Sequence, residues 1–450
     1  MPSSDFDQER GRWLALASMF AVIALGRALQ ISNGLLDPDA IFWVTAALVT
    51  ALAGAVFPRP QALARADGRI VPLVAVIGLL ANLAQLYTKF PILYGGLDPG
   101  TLAAFHLRLA VLTVAAGLAL IRLKHLSPGL QVGALVAAHF TIGVWAIHQS
   151  PAPPIDVHTF QRNAIATLWN GRNPYRLTYP NIYSDDAFYG PGVSVNGRLR
   201  FGYPYFPLSL LLAMPGQLLA GDLRYSQLVA LELAATLMAF TRRNGFGLIA
   251  AVLFLTTPRL FFVLEQSWTE PFVVFGLAAL VFAACRQPRA APWLFGAFVG
   301  VKQYLVLAIP CALLLVRDQR ALLRFLARAS IAAAAVMLPF ILWNPKAFWR
   351  SVVALQFYQP FRVDALAYLS WWAQRGHPQP SSAIAFVAAL IANALSLWRL
   401  PRTPAGFAFA VALILFLFFV FNKQAFCNYY FAVIGAFAVT LAACTPREES

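Results

Sequence analysis

Long apolar runs alternate with short polar breaks from one end of the chain to the other. A helix needs roughly 20 mostly apolar residues to cross the hydrocarbon core of a bilayer. Runs of that kind occupy 13–32, 40–57, 71–90, 101–121 and 130–148, and after a long polar interval 225–241, 245–264, 271–285, 329–343, 383–398, 404–421 and 429–444. Backbone of this length satisfies itself in lipid only as helix. The pattern predicts an all-α, polytopic integral membrane protein with about 12–14 membrane segments. The first run has full span length and no small-residue cleavage site, so it reads as a span and not as a cleavable signal.

Two stretches break the alternation. Residues 291–316 start and end at basic breaks but are too few for two crossings. They predict two half-length helices meeting near Val301, Lys302 and Gln303, and 206–220 predicts a short helix that dips into the outer leaflet and returns. Irregular backbone at membrane depth is tolerated where it lines a cavity or is buried in protein. The two stretches together point to a polar cavity opening outward.

Composition sharpens the class. With 60% hydrophobic and 12% charged residues the chain is neither an ordinary soluble domain nor disordered. Lys and Arg number 34 against 18 Asp and Glu, a net charge of +16. A basic balance raises nucleic acid as a partner, but no basic block interrupts the apolar runs, and none is expected. The charge sits in short breaks: Arg59, Arg65 and Arg69; Arg122 and Lys124; Arg242 and Arg243; Arg286 and Arg289; Arg317 to Arg328; Arg399 and Arg402. Basic short loops mark the cytoplasmic side. Both termini are then cytoplasmic, in an inner or plasma membrane. The intervals 149–224 and 344–382, Glu265, Glu270 and the 421–428 turn fall outside. The outer interval 149–224 is itself basic, through Arg162, Arg172, Arg176, Arg198 and Arg200, which the positive-inside rule does not predict.

Cys285, Cys311, Cys427 and Cys444 have no paired spacing and read as small core residues. No nucleotide-binding glycine loop, zinc-binding His pair or Cys/His cluster is present. With no clustered carboxylates either, no metal and no cofactor are expected.

The stretch after residue 150 carries the chemistry. Val157, Phe160, Ala164, Ile165 and Leu168 recur at helical spacing opposite a polar face of His158, Arg162 and Asn163. That pattern predicts an interfacial amphipathic helix ended by Asn170 and Gly171. Asp156 at its start reads as a general base at the cavity mouth or as an N-cap, and position leaves both open. Glu270, before Pro271, reads as a polar ligand or as a helix entrance. Asp185 and Asp186 read as solvated loop residues. Tyr175, Tyr179, Tyr183, Tyr189, Trp371 and Trp372 stack on a substrate or form an interfacial belt. Glu232 lies inside a span, where a carboxylate is costly.

Several motifs resemble one family. Asp156-x-x-x-Phe160, Leu168-Trp169-Asn170-Gly171-Arg172-Asn173-Pro174-Tyr175 and Tyr203-Pro204-Tyr205-Phe206-Pro207-Leu208 are similar to glycosyltransferase family 87, the membrane-embedded mannosyltransferase-like enzymes of the GT-C superfamily. Tyr205 and Phe206 stand as an insertion between the two prolines of the last motif. Thr269-Glu270-Pro271-Phe272 resembles the acidic-Pro motif of the second outer loop in such enzymes. Gly296-Ala297-Phe298-Val299-Gly300-Val301-Lys302 resembles the glycine-rich stretch and lysine that follow it, and Phe421 to Tyr430 resembles a late outer turn. The resemblance covers about residues 130–445. It implies a GT-C-type bundle in 129–445, with outer loops 149–205 and 344–382, preceded by a four-helix membrane extension in 1–128.

The activity it implies is transfer of a sugar, in this family mannose, from a polyprenyl-phosphate donor to an extracytoplasmic envelope glycolipid or glycan. A phosphate leaves as a stable anion, so no general acid is needed, unlike glycoside hydrolysis. One base suffices, and direct displacement inverts the anomeric centre. Asp156 is the candidate base. Lys302, Lys423, Arg198 and Arg200 are candidates for the departing phosphate, whose charge must be stabilised. Glu270, His158, Tyr175, Tyr203 and Gln424 complete the expected substrate-binding set. The rival from another class is a transporter or lipid flippase using Glu232, Glu270 and Lys302 as intramembrane ligands. Transporters are often built from inverted repeats, and none is visible.

Overall fold

Most apolar runs become one helix bounded by the polar break that precedes it. The computed structural model describes residues 4–57, 67–121, 126–183, 186–242 and 246–445, with no account of the side chains of 4–12, 67–69 and 186–187. Arg59, Arg65, Arg122, Lys124, Arg243 and Asp185 lie outside the described residues, as do the side chains of Arg69 and Asp186.

The first five helices are α1 (Ser4–Ser32), α2 (Pro38–Val56), α3 (Asp67–Thr88), α4 (Pro99–Ile121) and α5 (Pro128–Gln149). Their starts follow local chemistry. The Asp37 carboxylate accepts the Asp39 and Ala40 amides ahead of α2, and the Ser127 hydroxyl accepts the Leu130 amide ahead of α5. Each is followed by proline, which loses nothing at the first helical position. Then come α6 (Asp156–Trp169), the hairpin of β1 (Ser194–Val195) with β2 (Arg198–Leu199), α7 (Pro207–Ala220), α8 (Arg224–Phe240), α9 (Gly247–Leu255), α10 (Leu260–Glu265) and α11 (Glu270–Arg286). The rest are α12 (Ala291–Val299), a 3₁₀ helix (Gln303–Leu314), α13 (Gln319–Trp343), α14 (Pro345–Trp349), α15 (Leu355–Tyr358), α16 (Tyr368–Ala373), α17 (Ala383–Arg399), α18 (Pro404–Val420) and α19 (Cys427–Ala443). Six described helices, α1 to α5 and α13, are long and apolar enough to cross a membrane, and several shorter apolar helices accompany them. The chain is a polytopic helical membrane protein, and the small β1–β2 hairpin is the one departure from all-α among the described residues.

The 291–316 stretch divides as its length predicts. Helix α12 stops at Val299, Lys302 is extended, and the 12-residue 3₁₀ helix follows. Runs of 3₁₀ beyond three or four residues are uncommon and mark functional breaks or strain. Helix α7 has 14 residues, about 21 Å at 1.5 Å each, too short to cross.

Two expectations are corrected. The predicted 245–264 span is broken into α9 and α10. The Thr256 and Thr257 hydroxyls turn back onto the Val252 and Leu253 carbonyls, Pro258 has no amide to donate, and Arg259 is left-handed at φ 67°. The 329–343 span begins ten residues earlier, because the Asp318 carboxylate caps the Ala321 amide and draws the basic 319–328 stretch into α13.

Helices α18 and α19 are buried along almost their whole length, as suits sequences apolar on every face. Helix α1 packs along α2 and α19, and α4 packs along α5, so the first 128 residues lie directly on the remainder. At one end of the bundle Arg286 donates to the Phe240 carbonyl and Arg402 to the Arg317 carbonyl. At the other end the loops tie together. Leu35 bridges Ala365, the Leu36 amide donates to Asp364, Arg362 to Lys423, and Leu366 to Ala425. Gly34, at φ 84°, allows this closure: a Cβ there would sit 2.1 Å from the Cys427 nitrogen.

Candidate active site

A cavity of about 460 Å³ opens among these tied loops, its wall formed in part by Asp156, Tyr189, Lys302, Arg362, Gln424 and Asn428. The start of α6, the break after α12, the 359–362 loop and the 421–428 turn each contribute. Asn33, Leu35, Leu93 and Tyr94 line it too, so loops that connect the N-terminal helices contribute to its wall.

Asp156 is the first residue of α6. Ile155 occupies the cap position, without a side-chain cap bond. The Asp156 carboxylate instead accepts the Tyr189 hydroxyl at 2.8 Å, and its amide donates to the Tyr183 hydroxyl at 3.4 Å. Burial raises the Asp156 carboxyl above the usual carboxylate range, against the opposing Tyr189 bond, Val157 amide and Arg362 charge. Burial and the same carboxylate push the Tyr183 and Tyr189 hydroxyls up, so both stay protonated. Their rings pack on Phe188 at centroid distances of 4.1 and 5.1 Å. These two tyrosines therefore position Asp156, which neither sugar stacking nor a belt anticipates.

Lys302 projects from the helix break. Its Nζ lies 2.5 Å from Glu270 Oε1, which also accepts Asn428 Nδ2 at 3.0 Å and the Tyr304 hydroxyl at 3.4 Å. The ammonium stands 4.9 to 5.7 Å from the ring centroids of Tyr205, Tyr304 and Tyr429, within cation–π range. Glu270 opens α11 with Pro271 behind it and is fully buried beyond Lys302, so it holds the lysine from outside the cavity wall.

Arg362 supplies a second cation. It pairs with Asp364 through bonds of 2.9 and 2.7 Å and lies 4.7 Å from the Phe188 ring and 5.1 Å from the Phe426 ring. Partial burial would raise the Asp364 carboxyl, but the Arg362 bonds hold it below its ordinary value. Asp364 thus remains charged beside Arg362.

The other expected site residues divide. Gln424 lines the cavity while donating to the Pro360 carbonyl at 2.9 Å. Lys423 is spent on the carbonyls of Gln356 and Gln359, at 3.0 and 2.6 Å, and is absent from the wall. Tyr175 and Tyr203 are buried in packing, bonded to the Tyr205 carbonyl at 3.0 Å and the Ser209 hydroxyl at 2.8 Å. Arg198 and Arg200 are exposed on and beside the hairpin, Arg198 donating to Thr178 at 2.8 Å. His158 is not on a polar outer face. It is buried against the Ser267 hydroxyl at 2.8 Å, while Gln161 donates to the Ser267 carbonyl at 2.6 Å. Burial, with the nearby Arg224 charge, lowers His158 to about 4, so it is neutral. The buried stripe of α6 runs through 157, 158, 160, 161, 164 and 165, and hydrogen bonds to Ser267 let the two polar members join it. Glu232 pairs with His139 at 2.6 Å between α8 and α5, under the Phe261 ring and apart from the cavity.

Arg362 and Asn428 are site residues the sequence did not single out. Asn428 stands inside the Phe421 to Tyr430 motif, whereas Arg362 has only its spacing from Asp364 as a signal. Together the groups present a proton acceptor and two cations to one cavity. Compared with known proteins, the chain matches no family model, no curated protein and no solved structure.

Proposed function

We propose that the protein is a membrane glycosyltransferase that moves a sugar from a polyprenyl-phosphate donor to an extracytoplasmic lipid or glycan acceptor, inverting the anomeric centre. The observation that supports this most is the shared wall. One cavity joins a carboxylate raised above its ordinary range to the cations Lys302 and Arg362. Asp156 takes the proton of the acceptor hydroxyl as that oxygen attacks the anomeric carbon. A raised carboxyl is a better-matched base at neutral pH than an ordinary one. The bond to the donor phosphate breaks, and its electron pair leaves with the phosphate towards Lys302 and Arg362. Cations fixed in an enclosed site stabilise such developing charge without reorganising. Glu270, Asn428 and Tyr304 keep Lys302 in place, and Lys302 lines the cavity together with Tyr205 and Tyr429.

The transporter alternative joins Glu232, Glu270 and Lys302 in one path. Glu232 sits in its own pair with His139, which gives that alternative no support.

The test is transfer of radiolabel from polyprenyl-phosphate mannose to a membrane lipid extract by purified full-length protein. Wild type transfers label, and Asp156→Asn transfers it about 10²–10⁴-fold more slowly, the usual worth of a positioned base. Full activity in Asp156→Asn overturns the assigned base. Absence of transfer by wild type from mannose and glucose donors alike overturns the donor class.

A further inference from the structure

A second, larger space lies outside the proposed active site. Helices α4 and α5 flank a groove of about 740 Å³, lined by Thr101, Ala104 and Arg108 from α4 and by Thr141, Trp145 and His148 from α5. Asp98 stands at its mouth, beside the start of α4 and the end of α5. The neighbouring surface of α4 is apolar and exposed at Leu107, Val111 and Val114, as a face turned to lipid must be.

Arg108 is out of place on such a surface. It lies nine residues into a membrane-crossing helix, about 14 Å below its first residue. Its Nη1 turns back towards the helix start and donates to the Ala104 carbonyl at 2.8 Å. Among the described residues no carboxylate pairs with it. A guanidinium at membrane depth is costly unless an anion meets it, and its planar fork matches a phosphate.

The mouth of the groove narrows the choice of anion. The Asp98 carboxylate is fixed by the Thr101 amide at 3.0 Å and the Thr101 hydroxyl at 2.5 Å. The hydroxyl bond leads in holding that carboxyl below its ordinary value, so Asp98 is ionised at neutral pH. A ligand must therefore offer a negative group to Arg108 and a positive group nearer the surface. A phosphoethanolamine headgroup has that order, whereas a polyprenyl monophosphate or a phosphoglycerol headgroup has no cation for Asp98.

We propose that the α4–α5 groove binds a zwitterionic, amine-bearing phospholipid, with its phosphate on Arg108 and its ammonium at Asp98. One acyl chain runs past Ala104, Phe140 and Val144, where the small side chain of Ala104 leaves room. The site is independent of the transferase assignment, since it needs only lipid. It also adjoins the proposed active site. The Leu93 and Tyr94 amides, a few residues before Asp98, are held by Glu265 at 2.6 and 2.8 Å, and both residues line the catalytic cavity.

Native mass spectrometry of the delipidated full-length protein tests this, titrating dioleoyl phosphatidylethanolamine, dioleoyl phosphatidylglycerol and undecaprenyl phosphate. Wild type retains one phosphatidylethanolamine in preference to the other two. Arg108→Gln weakens that binding at least about tenfold, a loss of about 1.4 kcal/mol. Ala104→Leu fills the groove, leaves the charge and weakens it as well, so the proposal remains testable if the arginine variant misfolds. Asp98→Asn preserves the helix cap, because Asn caps as well as Asp, and abolishes the preference over phosphatidylglycerol. Equal retention of phosphatidylethanolamine by wild type and all three variants overturns the site. Tighter, Arg108-dependent binding of undecaprenyl phosphate overturns the assigned lipid.

Discussion

Asp156, the proposed base, illustrates how a residue placed for chemistry lowers stability. Its carboxyl is raised in the folded protein, foremost by burial, so the folded chain keeps this proton to higher pH than the unfolded chain does. Below the unfolded value, about 3.9, the group is neutral in both states and costs little. As pH rises through the higher folded value the carboxylate ionises in its enclosure, and stability is lost relative to a neutral residue. Asp156→Asn is therefore expected to raise the melting temperature at neutral pH, with the gain shrinking towards pH 4. Thermal unfolding in detergent across that range checks it, and a gain independent of pH would remove the ionic explanation. The Lys302–Glu270 pair behaves oppositely. Each charge is buried and compensates the other, so Lys302→Met leaves Glu270 unpaired and should cost about 3–5 kcal/mol. Lys302→Met with Glu270→Gln should recover most of that loss in the same melting assay without recovering transferase activity. Recovery of both would reduce Lys302 to a structural role.

At the scale of elements, the break after α12 depends on how closely α12 meets α13. A Cβ on Gly296 would sit 2.0 Å from the Ala329 carbonyl oxygen, so that glycine lets the helix carrying Lys302 lie against its neighbour. Gly296→Ala should destabilise by about 1–3 kcal/mol, the range for overpacking, and should lower activity by shifting Lys302. Gly117→Ala on α4, where a Cβ meets nothing within 4 Å, should be neutral or slightly stabilising. Melting temperatures of the two variants decide the point, and equal losses would show a general intolerance of larger side chains. The half-helices around Lys302 were legible because residue count against bilayer thickness is a local quantity. The α9–α10 break was not, since Thr256, Thr257 and Pro258 barely interrupt an apolar run and Arg259 looks like a loop charge. The position of Asp156 at the cavity was legible from its place after a span. The directions of His158, Tyr175 and Tyr203 were not, because a loop side chain points where tertiary partners draw it: Ser267, the Tyr205 carbonyl and Ser209. Arg362 lies in the aperiodic 344–382 interval, where no pattern separates a cavity residue from a solvated one.

Across the whole molecule, charge and contacts agree on two different ends. At one, basic breaks are tied to neighbouring helix ends, Arg286 to the Phe240 carbonyl and Arg402 to the Arg317 carbonyl. The cavity, the hairpin and the tied loops gather at the other, where Arg172 and Gln379 are exposed. The net charge of +16 is thus spread over both ends, and only the first share is explained by topology. The proposed function accounts for the second share, because a phosphate-bearing substrate would be drawn to a basic end. The positive-inside rule then assigns the Arg286–Arg402 end to the cytoplasm, and this orientation is open to direct measurement. In a Cys285→Ser background, single cysteines at Arg172 and Gln379 should react in intact cells or right-side-out vesicles with a membrane-impermeant maleimide. Cysteines at Arg289 and Arg402 should react only after the membrane is opened. The other native cysteines are buried and supply little background. The opposite pattern would invert the protein and put Asp156 on the cytoplasmic face, where the proposed extracytoplasmic acceptor cannot reach it. Labelling of all four positions in sealed vesicles would mean a mixed insertion that the short basic breaks should forbid.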